Sequence, residues 1–442
     1  MTDNDIQASK ICLQQALREG ASASRVCLQK CSEQSISLLD ARVDSISSSQ
    51  DRSLTLEVFA KGRYGTFSTN RLDEDSLRGF TSRVVRMTAM LQPDPCRVMP
   101  MPDRKEKNAK NGDELRLVDP SWSEVTPEKR METALGNCDP GMEALSCECE
   151  YSDSFSEMLL VDSDGFEGCH CETAFGMSSS VTVKGRDGKR YESYYWDSSP
   201  LRSSFDTSSI CKTAAQKALA QDSPRDIRGG RYNVVVDRMA ASRMVSPLLS
   251  ALDASAIQQD NSFLKDCLGK RILSDRLTLF DSPREIGRAG SRLFDGEGVA
   301  TRRLDLIRDG VPLTLLTDSY MAAKTGWEPT VDSVSRPCIS PFICNSCENG
   351  INLEAVLKEC SKGILITGFN GGSCNAATGN FSYGAEGFLF EGGRVLYPVR
   401  RLVVTGNMKE LFSRIVAAAD DARECTRWQI PSLAFEDIEI NA

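Results

Sequence analysis

A pattern that runs twice through the first half of the chain constrains the fold most: a set of short alternating strands, then a helix. The first pass opens on "DIQASKICLQQALREG", where Ile6, Ile11, Leu13 and Leu17 recur at loosely helical spacing and Gly20 ends the segment. The runs "RVCLQKCS", "SISLLDA", "LTLEVFA" and "RYGTFSTN" follow, and their alternation predicts antiparallel strands. In "DEDSLRGFTSRVVRMTAML" an acidic start precedes Leu77, Phe80, Val84, Met87 and Leu91 at steps of three and four, which is helical. The second pass has a helix near 126–144, strands at "CECEYS", "SEMLLVDS", "MSSSVTVKG" and "KRYESYYWD", and a helix near 207–220. Between the passes, "KNAKNGDELRLVDPSWSEV" is polar and broken by Asn-Gly and Asp-Pro, so a linker is expected near 95–122. The repeat points to an internal duplication.

From about residue 224 the pattern changes. One strand, "RYNVVVD", leads into the helical stretch "RMAASRMVSPLLSALDASAIQQ", and short strands joined by "RDG" and "EGG" turns occupy most of the rest. Strands and helices fall in blocks, so the expected class is α+β. The expected units are an N-terminal domain over 1–223, built from two meander-plus-helix copies, and a β-rich C-terminal domain with few helices over 224–442.

With 442 residues the chain is long enough for domains with real cores, and 26% charged residues with 40% apolar are those of a globular protein. A net charge of -9 argues against nucleic-acid or anionic-lipid binding driven by charge. No apolar run approaches the roughly 18 residues of a membrane span. The start "MTDNDIQASK" has neither the basic nor the apolar region of a signal peptide, so a cytoplasmic location is expected. The 17 cysteines are an odd number without an export signal, which predicts reduced thiols.

One histidine, His170, is present in the whole chain. A metallopeptidase helix with two imidazoles cannot be built from it. Its surroundings, "DGFEGCHCETAFG", read as a strand after a turn, without a nucleophile elbow. The glycine-rich stretch "GFNGGSCNAATGNFSYGAEGFLFEGG" lacks the lysine of a phosphate-binding loop and reads as strands and turns. Cys374 within it has no neighbouring histidine or lysine to activate it. In "RPCISPFICNSCENG", Cys344 and Cys347 form a C-x-x-C, a candidate metal pair, but a tetrahedral site needs two further ligands, and the other clusters, Cys147 with Cys149 and Cys169 with Cys171, are each a C-x-C in the other domain. The densest charged stretch of the second half, "LFDGEGVATRRLDLIRDG", sets Asp295, Glu297, Arg302 and Arg303 around a glycine turn; such residues line a peptide channel or close a surface turn.

Several of these stretches together resemble the TldD/PmbA family, historically called modulator of DNA gyrase. They are "GRYGTFSTNRLDEDSLRGFTSRVVRMTAML", "SFLKDCLGKRILSDRLTLFDSP", "LFDGEGVATRRLDLIRDGVPLTLLTDSYMAAKTG" and "GGSCNAATGNFSYGAEGFLFEGGRVLYPVRRLVVTGN". In that family TldD-type subunits carry an H-E-x-x-x-H zinc helix after the first strand of the C-terminal domain, and PmbA-type or TldE subunits lack it. Here the corresponding stretch is "RMVSPLLSAL", in which Ser246, Pro247, Leu248, Leu249, Ser250, Ala251 and Leu252 supply no ligand and no general base. The ending "PSL" also departs from the cysteine-glycine-lysine signature of TldD.

The resemblance therefore implies a PmbA/TldE-like subunit without catalytic residues or a metal of its own. It would pair with a TldD-type zinc subunit, form homodimers when alone, and supply peptide-binding surface. Two other classes stand beside it: a stand-alone hydrolase using an unrecognised cysteine or carboxylate, and a regulator of DNA gyrase.

Overall fold

The computed structural model describes residues 1–141, 143–343 and 350–442, so the pair Cys344 and Cys347 lies outside the described residues. The first half contains helix α1 (Asp3–Arg18), strands β1 (Ala23–Leu39), β2 (Arg42–Ala60) and β3 (Arg63–Thr69), and helix α2 (Glu74–Thr88). It repeats the plan with α3 (Pro127–Asn137), β4 (Ala144–Asp162), β5 (Glu167–Lys184), β6 (Arg190–Ser199) and α4 (Ile210–Ala220). All six strands form one antiparallel sheet in the order β3-β2-β1-β4-β5-β6, so the two copies meet along β1 and β4, from Arg25 opposite Asp162 to Leu39 opposite Glu148. The duplication expected from sequence is thus laid out across one sheet.

Each copy covers its own end of the sheet. Val26, Leu28, Leu54, Leu56, Val58, Leu159 and Val161 pack beneath α1 and α2, whose caps are a Thr2 and Asp5 box and the Asp73 carboxylate on Ser76 N–H. Further along the same strands Ile36, Leu38, Tyr151, Met177, Val181 and Val183 pack beneath α3 and α4. Burial at every second residue of a strand is what directs these side chains to one face.

Two differences from the sequence reading have a common cause. The runs 25–32 and 35–41 form one strand, β1, and the runs 147–152 and 156–163 form β4. Likewise β2 begins at Arg42 and extends through the polar stretch 42–52, most of it exposed. Backbone pairing carries the ladder through polar residues, whose side chains give no alternating signal.

The expected linker is a packed connector. Cys169, Cys171 and Thr173 of β5 donate their N–H groups to the carbonyls of Ala109, Gly112 and Leu117, closing a sheet edge that β6 leaves open. Ala109, Leu115 and Leu117 are buried, and Glu106 of the connector pairs with Arg284 of the second half.

The second half starts with β7 (Gly230–Val236), α5 (Ser242–Ala251) and α6 (Ala254–Gln258). Strands β8 (Leu279–Asp281), β9 (Leu304–Arg308), β10 (Val311–Pro312) and β11 (Pro337–Ile339), with helix α7 (Ser319–Thr325), include a four-stranded sheet of order β10-β9-β8-β11. After α8 (Leu353–Glu359) come β12 (Lys362–Phe369), β13 (Ser373–Cys374), β14 (Asn380–Glu391), β15 (Arg394–Asn407), α9 (Met408–Ser413), β16 (Ile415–Ala418) and β17 (Leu433–Asn441). Strand β12 pairs with both β7 and β14, and the path β12-β7-β17-β15-β14 returns to β12, so these strands close into a ring. Segregated helices and sheets that are antiparallel except for the β7–β12 pair make the fold α+β. The glycine-rich stretch supplies β13, β14 and the β14–β15 turn, as its pattern predicts. Among the described residues no helix is long and apolar enough to cross a membrane.

Candidate functional site

Helix α5 follows β7, the place where the family resemblance puts a metal-binding helix. Ala241, Met244, Val245, Leu248, Leu249 and Leu252 recur every three or four residues and are buried in the core of the second half. Pro247 sits inside the helix. The other face turns Arg243, Ser246, Pro247 and Ser250 toward a groove of about 310 Å³. Phe263, the segment Gly372 to Cys374, Ala376 and Tyr383 form the facing wall.

Arg243 spans this groove. Its Nη2 donates to the Gly372 carbonyl at 2.9 Å, and its guanidinium lies 5.2 Å from the Tyr383 ring centroid. Gly372 has φ +85°, and a Cβ there would lie 1.9 Å from the Ser382 carbonyl oxygen, so only glycine lets the β13 loop come this close. Burial raises the Cys374 thiol pKa, which keeps the sulfur protonated. The groove thus offers hydroxyls, one neutral thiol and a guanidinium, a set able to bind a backbone carbonyl or carboxylate. It does not fit zinc, which takes imidazole, thiolate and carboxylate donors in combination.

The charged turn divides between two environments. Asp295 is buried, and its carboxylate accepts the N–H groups of Glu297 and Val299 at 2.9 Å and of Asp332 at 3.0 Å. Burial, with the nearby Asp332 carboxylate, pushes Asp295 up to about 7. Glu297 accepts from the backbone and hydroxyl of Ser319 at 2.9 and 2.8 Å. Both carboxylates therefore hold the turn, beside the edge-on pair Phe166 and Phe294 that joins it to the N-terminal sheet. Arg303 stacks on Phe280 at 3.6 Å. Arg302 is exposed and borders a groove of about 540 Å³ walled by Leu264, Leu304, Leu313, Leu315 and Trp327.

His170 lies on β5, half-buried, with Nε2 3.6 Å from Glu172, on the sheet face that also carries Cys31, Ser53 and Met158. No nucleophile pairs with it among the described hydrogen bonds, in keeping with a strand histidine.

Sequence reasoning missed a cleft between the halves. Lys217 of α4, Asp237 just after β7 and Glu386 of β14 border a space of about 360 Å³ with Tyr194 and Tyr195. Burial lowers the Lys217 pKa and raises that of Asp237. Such perturbed groups in a cleft mark candidate binding sites. They come from three elements far apart in sequence, so no local motif signals them.

The chain matches models described as PmbA/TldA metallopeptidase domain 1 over residues 25–88, central domain over 122–222 and C-terminal domain over 229–442. It is 26% identical over 425 residues to the metalloprotease PmbA of Escherichia coli O157:H7, covering 94% of this chain and 92% of that protein. A PmbA homologue from Haemophilus influenzae is 23% identical, over 98% of this chain and 95% of its own. Among solved structures, a protein from Bacteroides thetaiotaomicron named as a candidate modulator of DNA gyrase is 35% identical, with a TM-score of 0.94 and coverage of 100% of this chain and 99% of its own. TldE from Thermococcus kodakarensis shares the fold, with a TM-score of 0.83 at 19% identity over 98% of this chain and all of its own. By these matches the chain belongs to the PmbA/TldD family.

Proposed function

We propose that this chain is a PmbA/TldE-like partner subunit of a TldD-type zinc metallopeptidase acting on peptides, and that the partner carries the zinc and the catalytic residues. The observation that carries the proposal is the solvent-facing side of α5, where Arg243, Ser246, Pro247 and Ser250 stand at the expected position of a metal-binding helix. None of these is a zinc ligand or a general base. The printed names of the relatives, metalloprotease PmbA and TldE, support the same reading.

In this role the chain contributes walls. Arg302, with Leu313 and Trp327, lines an apolar groove of a size suited to peptide side chains, and Arg243 and Ser246 offer polar contacts to a backbone. Alone, the chain forms homodimers through the surface that otherwise meets the partner.

The test mixes purified full-length chain with a TldD-type subunit at micromolar concentration, followed by size-exclusion chromatography and a peptide-cleavage assay. A one-to-one complex with activity absent from either chain alone is expected. That activity should vanish when the partner's H-E-x-x-x-H glutamate is replaced and persist in Ser246→Ala. Chains that stay apart, or activity that survives loss of the partner's glutamate, would overturn the proposal. A salt-dependent DNA shift by this chain alone would favour a gyrase-directed role instead.

A further inference from the structure

Four thiols converge beneath α3 and α4. Cys138 caps the C-terminus of α3, Cys147 and Cys149 project from β4 to the same face, and Cys211 lies in the first turn of α4. Their exposures are 6%, 2%, 3% and 2%. The sulfurs of Cys138, Cys149 and Cys211 all lie within 4.8 Å of one another. Cys147 is 3.9 Å from Cys138, and Cys149 is 3.8 Å from Cys211.

We propose that Cys138, Cys147, Cys149 and Cys211 form a structural zinc site in the N-terminal half of this chain. Zinc–sulfur bonds of about 2.3 Å in a tetrahedron put neighbouring sulfurs about 3.8 Å apart, close to the separations of both pairs. An all-sulfur donor set selects a thiophilic ion over magnesium or calcium. Cys147 stands outside the close group of Cys138, Cys149 and Cys211, so closure around an ion takes an inward movement of its sulfur.

The surroundings suit bound thiolates. The Ser179 hydroxyl, which donates to the Glu148 carbonyl at 3.1 Å, lies 3.5 Å from Cys147 Sγ, and a turn about its C–O bond would direct its proton to a ligated sulfur. Cys211 stands where the free N–H groups of the α4 first turn favour negative charge, and Ser209 makes no side-chain cap there. On binding, four S–H bonds break and four Zn–S bonds form, and the four protons leave to solvent, so uptake weakens as pH falls. The ion would tie α3 and α4 to the central strand β4. This zinc is separate from the peptidase zinc of the proposed partner, and its failure would leave the partner reading intact.

The experiment uses full-length chain, reduced, purified without chelator and dialysed against excess zinc before desalting. Elemental analysis should give one zinc per chain, and X-ray absorption at the zinc edge should show sulfur neighbours at about 2.3 Å with no nitrogen shell. Cys149→Ser and Cys211→Ser should each lose the metal, whereas Cys344→Ser with Cys347→Ser should keep it. The absorption measurement needs no variant, so a misfolded Cys149→Ser protein does not leave the question open. A wild-type chain that takes up no zinc, zinc bound through nitrogen or oxygen, or zinc lost only with Cys344 and Cys347 overturns the proposal.

Discussion

Lys105 of the connector donates to Asp162 at the end of β4 at 2.5 Å, with both side chains withdrawn from water. The same carboxylate accepts the N–H groups of Asp164 and Phe166, which form the β4–β5 turn. The pair therefore fixes the connector to the junction of the two strands. Removing one member of a buried pair strands the other charge. Lys105→Met should cost about 3–5 kcal/mol in urea unfolding. Lys105→Met combined with Asp162→Asn should cost less than the sum of the two single changes; a sum that adds simply would show that the charges are not coupled.

Gly372 should tolerate no side chain. Its left-handed backbone and the Ser382 carbonyl leave no room for a Cβ, so Gly372→Ala is expected to cost about 2 kcal/mol or more and to loosen the β13 loop. The loosening is read at Cys374, whose reaction with a thiol reagent should speed up. An unchanged labelling rate would show the loop to be held elsewhere.

Asp237 gives a pH signature. Its folded pKa is raised, first by burial, so the native state binds the proton more tightly than the unfolded chain. That contribution is fully present below the ordinary aspartate value and is lost as pH climbs through the raised folded pKa. Asp237→Asn keeps an acceptor for the Met239 N–H, now 2.8 Å from the carboxylate, and removes the titration. Compared with the native chain, the variant should gain relative stability as pH rises above the ordinary aspartate range in thermal melts. A difference that does not change with pH would refute the linkage.

No disulfide joins the cysteines among the described residues. Alkylation under denaturing, non-reducing conditions should label nearly all of them in protein taken directly from cells. Several protected pairs would point to an oxidising compartment.

Sequence pattern revealed the two-copy plan and the α+β class because strand alternation and helical spacing both report burial directly. It also placed the glycine-rich stretch in strands and turns. Strand lengths escaped it, since polar residues such as those of 42–52 are held by backbone pairing alone. The charged turn was legible as a group but not in its geometry: Asp295 accepts from backbone N–H groups, Glu297 accepts from Ser319, and Arg302 borders a groove. The thiol cluster joins Cys138 to Cys147 across nine residues and Cys149 to Cys211 across 62. Cys147 and Cys149 stand in sequence as a C-x-C, but no motif links them to Cys138 or Cys211, and the fold alone assembles the four.

The seam between the two copies has a kinetic meaning. Joining β1 to β4 closes a loop of more than a hundred residues at either end of the seam, Arg25 with Asp162 or Leu39 with Glu148. Such distant contacts slow folding, because chain entropy is lost before the ladder repays it. During synthesis the first copy emerges with β1 as an unpaired edge until β4 has left the ribosome. In that interval a nascent chain is open to pairing with a strand of another molecule. A stalled chain ending near residue 120 should therefore aggregate or recruit chaperones, and one extended past α4 should not.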